Sequence, residues 1–480
     1  MKMFRLAAIP LFALLVTSGC ATNPATGKSQ LSLIGEQQEI AMGRQADEQV
    51  STSLGLYDDQ EAQEYVSRIG LEMAAKSERP NLPWSFKVVD DPVVNAFALP
   101  GGFIYVTRGI LAHMNNEAEL AAVLGHEIGH VTGRHSVSRM SKAQLATLGL
   151  GIGSIVEPSI ARAGDLLQTG LGLLFLKYSR NDERQADDLG LRYLGRTGYD
   201  AREMIGVFEM LGAVSQAAGG DRIPGWLATH PQPENRRARI AEAVATMEAS
   251  EVEGEVRQGP FYDILAGMTY GADPRQGYFE GSTFYHPEMA FRLDFPAGWK
   301  TANQRQQVVA MHPDQNAILV LRLAPGGNSA EAERQFYSSQ QGVRRGNSLG
   351  NIPAALRSSG SYFSVPRQQA SNLVGLTSFI EHRDLVFQVL GYTLEERWSG
   401  VGDSLRNSVA TFSRVTDPKV LNVQPAKIEI VTLPQAAGLD EIQRRWPSNA
   451  DLRTLALINR VDPNATLPAG TRFKRVVGGR

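Results

Sequence analysis

Two histidines four residues apart constrain this chain more than any other feature. His126-Glu127-Ile128-Gly129-His130 lies inside a helical pattern that opens at Asn115-Asn116-Glu117 and runs on through Ala118, Leu120, Ala121, Val123 and Leu124. On a helix this spacing puts both imidazoles on one face, where they can share a metal ion. Glu127 stands about 100° around the helix from His126 and can lie beside the metal's open position. A carboxylate there can take a proton from a water that the metal activates and later deliver it to a leaving amine. Gly125 and Gly129 each cost a helix interior roughly 1 kcal/mol, which predicts close packing of another element.

A catalytic zinc needs a third protein ligand and an open fourth position. His135 follows the motif in the wrong register for the metzincin spacing. Residues 181–187, Asn-Asp-Glu-Arg-Gln-Ala-Asp, offer carboxylates instead, with Glu183 and Asp187 at i, i+4 on a helix expected over about 181–197. Glu183 could bind the metal while Asp187 accepts the free ring N–H of a ligating histidine and fixes its tautomer. Taken by itself the stretch also reads as a charged, solvated helix face.

Together these motifs resemble the HtpX-like and CaaX-prenyl-protease-like zinc metallopeptidases of the gluzincin group. The run Asn95 to Gly102, then a strand, then His-Glu-x-x-His, is similar to their active-site approach. Glu183 with Ala186 and Asp187 is similar to their third-ligand helix, and Thr229-His230-Pro231 with Arg236 to a further block. The resemblance covers about residues 35–245. It implies a mostly α zincin-like domain that hydrolyses peptide bonds, with one zinc per chain on His126, His130 and Glu183 and with Glu127 as general base. The multispanning relatives set this domain among membrane helices, which this sequence does not show.

Two further assignments stay open. The strand beginning Gly102-Phe103-Ile104-Tyr105 is expected at a sheet edge, where it would pair with an extended substrate; the other reading is an interior strand. His230 either donates to the tetrahedral oxyanion or occupies the zinc's fourth position and shuts the site; the remaining reading is a plain loop histidine. His113, His135, His286, His312 and His382 have no ligand spacing and read as structural or exposed.

The N-terminus reads as an address. Lys2 and Arg5 precede Leu6 to Val16, an uncharged run too short to span a bilayer but suited to a signal peptide. Thr17-Ser18-Gly19-Cys20 resembles a lipobox, with Thr17 where Leu is usual. Cleavage after residue 19 and lipid on Cys20 are expected, and Ala21 fits sorting to the inner leaflet of an outer membrane, facing the periplasm. Cys20 is the single cysteine, which excludes an internal disulfide and a Cys-based zinc finger. The glycine-rich segments within 145–176 are too short to cross a membrane and read as buried or capping helices, the other reading being that they dip into a membrane surface.

The chain is expected to be multidomain: a tether over 20–34, the metallopeptidase domain over 35–250, an α+β module over 280–415 and a small unit over 427–480. The module is loosely similar to PsbP-like and Mog-like folds. The last unit resembles the second half of a LysM fold, although Gly438-Leu439-Asp440 replaces the usual opening, and peptidoglycan is its expected ligand. A net charge of −2 with no basic block argues against nucleic acid. Polypeptide substrates are expected, unfolded or stalled envelope proteins among them; the competing reading is a chaperone or assembly factor with a rarely open zinc site.

Overall fold

The computed structural model describes residues 20–147, 177–217, 219, 225–230, 236–367 and 370–479. The expected signal peptide (1–19) and nearly all of the glycine-rich segments lie outside the described residues, as does Pro231. Among the described residues no helix is long and apolar enough to cross a membrane. One compact unit joins the chain up to Ala272 with Ala426–Val477; a second spans Asp273–Pro425.

The first unit opens with an antiparallel hairpin, β1 (Cys20–Thr22) and β2 (Ser29–Leu31). Residues 20–34 therefore differ from a free tether. Asn23 is buried, its carbonyl oxygen accepts from the backbone of Ala25 and Thr26, and Leu33 N donates to Ser141. Such local side-chain bonds close a turn without help from a larger sheet. Helix α1 (Glu36–Ser53) and helix α2 (Gln60–Ala74) follow, the second capped by Asp59.

Strands β3 (Ser85–Val89), β4 (Ala96–Leu99) and β5 (Phe103–Thr107) form a sheet in the order β3-β5-β4. This corrects the expected edge strand. β5 pairs with β3 on one side, Phe103 opposite Ser85, and with β4 on the other, Phe103 opposite Leu99. Ser85 N also takes the carbonyl of Gly102. Gly102, Phe103, Ile104 and Tyr105 have no free edge to offer a substrate. The cause is the Pro100-Gly101-Gly102 turn: both glycines adopt positive φ and fold Ala96–Leu99 back onto the following strand.

After α3 (Arg108–His113) comes the central helix α4 (Glu117–Thr132), capped by Asn116 and buried at every residue. Residues from α2, β5 and the later helices surround it, including Val66, Ile69, Met73, Val106, Leu189 and Leu194. Around it lie α5 (His135–Thr147), α6 (Arg180–Thr197), α7 (Glu203–Ala217), α8 (Gly225–Thr229), α9 (Arg236–Thr246) and α10 (Gln258–Leu265), followed by a short strand β6 (Thr269–Tyr270).

The second unit is built on antiparallel sheets. A small sheet joins β7 (Tyr278–Glu280), β8 (Thr283–His286) and β9 (Phe291–Asp294). The large one holds β10 (Lys300–Gln304), β11 (Gln307–Met311), β12 (Ala317–Leu323), β13 (Arg344–Ser348), β14 (Ser358–Val365), β15 (Leu373–His382) and β16 (Leu385–Leu394), in the order β10-β11-β12-β16-β15-β14-β13. Its two main helices are α11 (Ser329–Ser339) and α12 (Trp398–Ala410). Leu376, Ile380, Phe387 and Val389 alternate onto one face with Leu405 and Phe412, as period-2 strands require.

The C-terminal segment runs β17 (Ala426–Thr432), α13 (Leu439–Arg445), α14 (Leu452–Asn459) and β18 (Arg472–Gly478). It has its own small core around Leu439, Ile442, Leu455 and Ile458. It also joins the first unit: β17 pairs with β6, and the buried Lys474 amino group donates to the carbonyls of Ala112 and Met114. The small unit expected over 427–480 thus packs against the first unit, where the buried Lys474 amino group finds its acceptors.

Candidate metal centre

Helices α4 and α6 build the site because their contact surface is stripped of side chains. A Cβ on Gly125 would stand 3.3 Å from Gly190 Cα, and one on Gly129 would stand 3.0 Å from Ala186 Cα. This is the close packing that the two glycines predict. It brings the inward face of α6, with Glu183 and Asp187, against the inward face of α4, with His126 and His130. A capping box between Ser179 and Asp182 starts α6 just before Glu183.

Four ligand atoms converge. His126 Nε2 and His130 Nε2 are 3.0 Å apart, and His230 Nδ1 lies 3.3 Å from His126 Nε2. Glu183 Oε1 is 3.0 Å from His230 Nδ1 and 3.6 Å from His130 Nε2. Tetrahedral zinc with nitrogen ligands separates them by roughly 3.3 Å, so His126, His130, Glu183 and His230 fit a metal ion. Glu127 supports the fit. Trp226 Nε1 donates to its Oε1 at 3.1 Å, while its Oε2 is buried with no hydrogen-bond partner. A bare carboxylate oxygen beside a cluster of ring nitrogens is costly unless something else binds there.

Asp187 does not reach the cluster. It lies 3.1 Å from His126 Nδ1, accepts two hydrogen bonds from Arg236 at 2.8 and 2.6 Å, and takes a third from Arg239. With Nδ1 protonated toward Asp187, His126 keeps its Nε2 lone pair for a metal. Burial pushes the Asp187 carboxyl up, but the Arg236 guanidinium outweighs this and holds it well below the usual range. Glu183 is likewise held low against burial, by the charges of His230, Arg236 and His126. Burial, reinforced by its cationic neighbours, drives His130 well down, which keeps it in the neutral form a ligand needs.

Several residues here were not marked by the sequence reading. Trp226 stacks on His230 with centroids 4.8 Å apart and holds Glu127. Its spacing from His230 is the same i, i+4 that marks the histidine pair, and that was the available signal. Tyr178 stacks on His130 at 3.8 Å, and nothing in its local sequence announces this. Arg236 belonged to a recognised block, but its bonds to Asp187 show only in space. His135, read as structural or exposed, is buried with its Nδ1 2.9 Å from His130 Nδ1. Cys20 lies in β1, away from the ligand set in sequence and carrying no described side chain.

Comparison with known proteins agrees with this geometry. Residues 60–244 match the family Peptidase family M48. The chain is 34% identical over 244 residues to the mitochondrial metalloendopeptidase OMA1 of Arabidopsis thaliana, covering 50% of this chain and 47% of that one. It is 30% identical over 227 residues to the beta-barrel assembly-enhancing protease of Escherichia coli K12, covering 45% and 46%. The chain thus spans about half the length of the curated relatives it matches. Among solved structures, cyanobacterial PsbP from Synechocystis aligns with 28% of this chain and 94% of its own at 14% identity, with a TM-score of 0.24, too low to carry a conclusion.

Proposed function

We propose that the peptidase family M48 domain at residues 60–244 makes this chain a zinc-dependent endopeptidase whose site is held shut until substrate arrives. The observation that carries the reading is the four-ligand convergence itself. His126, His130, Glu183 and His230 are all buried, as is Glu127. Four protein ligands close a zinc site, whereas a catalytic one keeps a position open. This favours the second of the two roles left open for His230.

Metalloproteases of family M48 use zinc, and bound zinc supplies a Lewis acid for a peptide carbonyl and acidifies adjacent water. The chain's own residues do the rest. Glu127 Oε2, unpartnered, receives a proton and returns it to the leaving amine. Trp226 fixes the other oxygen, so that one lone pair is presented. The sheet's edges are β3 and β4, not β5, and Val94 O just before β4 accepts from Trp226 N at 3.2 Å. The segment carrying His230 therefore covers the start of the strand on which an extended polypeptide would pair. Displacing that segment frees the fourth position and the edge together.

The address and partners complete the proposal. Lipid on Cys20 would hold the mature chain to the inner leaflet of the outer membrane, in the periplasm, with unfolded or stalled envelope proteins as substrates. The β-α-α-β order of residues 426–478 supports a LysM-like unit and peptidoglycan as a ligand; failure of the chain to pellet with sacculi would remove that part. A shut site also keeps the chaperone or assembly-factor reading alive.

The deciding experiment measures zinc content and casein cleavage for the wild-type chain, Glu127→Gln and His230→Ala. One zinc per chain, cleavage lost in Glu127→Gln and raised in His230→Ala supports a gated peptidase. Loss of cleavage in His230→Ala would move that residue to oxyanion binding. A chain that binds no zinc would reject the proposal.

A further inference from the structure

Behind His130 runs a chain of polar groups that the catalytic reading leaves unused. His130 turns Nε2 to the ligand cluster and Nδ1 to His135 Nδ1, 2.9 Å away. Two ring nitrogens this close share one proton, and the surroundings decide which of them carries it. The decision can be followed inward from the N-terminal hairpin. Backbone N–H groups of Ala25 and Thr26 donate to Asn23 Oδ1, at 2.9 and 3.2 Å. Asn23 Nδ2 must then face outward, and it donates to Gly133 O at 3.1 Å and Gln30 Oε1 at 2.8 Å.

Gln185 Nε2 donates to the same Asn23 Oδ1 at 3.3 Å, which leaves Gln185 Oε1 facing His135 Nε2 at 2.9 Å. A carbonyl oxygen only accepts, so His135 carries its proton on Nε2 and presents a lone pair at Nδ1. His130 must therefore donate from Nδ1, and its Nε2 is left bare toward the cluster. Backbone amides four links away thus select the ligating tautomer of His130.

The backbone is shaped for this contact. Arg134 adopts φ 53°, a left-handed conformation that few non-glycine residues take, and so turns α4 sharply into α5. At Gly133 a Cβ would lie 2.4 Å from His135 Nε2, so even alanine would displace the ring. Tyr178, stacked on His130, closes the other side.

We propose that His135, oriented by Gln185 and the Asn23 turn, is a positioning residue that fixes the tautomer and ring plane of His130 and thereby sets the site's affinity for zinc. The inference rests on the zinc-site reading above. Losing such an outer partner typically weakens metal binding about 10–100-fold.

The test is zinc affinity of the full chain by chelator competition, together with the visible absorption of its cobalt(II) form. His135→Ala is expected to weaken zinc binding about 10-fold or more and to alter the cobalt bands. His135→Asn, whose Oδ1 can stand where Nδ1 does, is expected to restore most of both. Gln185→Leu, at a half-buried surface position, removes the acceptor for His135 together with the donor to Asn23 Oδ1 and is expected to weaken binding by a smaller factor; it decides the matter if His135→Ala does not fold. Wild-type zinc affinity and cobalt spectrum in both His135→Ala and Gln185→Leu would overturn the relay while leaving the zinc site standing. A wild-type chain that binds no zinc would sink the site and the relay together.

Discussion

Both units bury polar side chains, and they differ in where unpaired atoms gather. In the second unit the unpaired buried atoms, Arg292 Nε and Asn316 Oδ1, are scattered, and other buried groups answer one another. Gln388 donates to Thr377 at 3.0 Å and accepts from Arg322 at 2.8 Å, and Ser378 donates to Ile352 O. Glu333 accepts from Ser361 at 2.5 Å. In the first unit, ring nitrogens of three histidines crowd one carboxylate, and Glu127 keeps an oxygen with no hydrogen-bond partner. Satisfied networks stiffen a core, whereas unsatisfied convergence holds a place for something not made of protein. The contrast marks the helical unit as the place where a metal ion fits.

The largest effect should come from the unpartnered oxygen. Glu127→Gln is expected to lower casein cleavage roughly 10²–10⁴-fold, the range for losing a general base. Thr377→Val with Gln388→Leu should leave cleavage unchanged; loss of cleavage in that pair would break the contrast.

Next is the buried charge that organises the first unit. Arg236 faces Asp187 and Glu183, all three buried. Arg236→Met removes the guanidinium that bridges Asp187 and Glu183, and breaking a buried pair from one side destabilises by about 3–5 kcal/mol. Calorimetry should show the first unit's transition move down while the second unit's stays. Movement of both would mean that the units do not unfold separately.

A pH effect sharpens the comparison from the other side. Burial pushes His286 of the second unit down to about 4, and its Nδ1 accepts from Met289 N. Unfolded histidine titrates near 6.5, so below that pH the unfolded chain takes up a proton that the folded unit refuses. Stability is therefore full above about 6.5, falls as the pH drops toward 4, and then levels off, a loss on the order of 2–3 kcal/mol. His286→Phe should flatten that part of the curve in pH-dependent denaturation; an unchanged slope would contradict it.

The smallest effect tests self-satisfaction directly. Gln388→Leu alone leaves Thr377 and Arg322 short of a partner and should cost about 1–3 kcal/mol. Adding Thr377→Val should recover part of this, measured by denaturant unfolding. Simple additivity would mean that the two side chains are not coupled.

Much of this was legible along the chain, because its signals are local. Helix spacing placed His126 with His130 and Glu183 with Asp187. Gly125 and Gly129 announced a close neighbour without saying which. The illegible part depended on partners far apart in sequence. Whether β5 lay at an edge turned on where β3 and β4 docked, so the substrate strand was misplaced. Tyr178 and His135 owe their places at the site to contacts rather than to spacing.

The sequence by itself determined the chemistry: which residue types share a helix face, which are missing, and hence that a metal with a nearby carboxylate base was the arrangement to expect. Tertiary structure alone decided how that chemistry is held. It brought His230 to within 3.3 Å of His126 and 3.0 Å of Glu183, set Arg236 against Asp187, and joined Asn23 to His130 through two intervening side chains. The physical reason is range. Periodicity follows from the geometry of one helix or strand, whereas a ligand's tautomer and a site's closure follow from groups brought together only by folding.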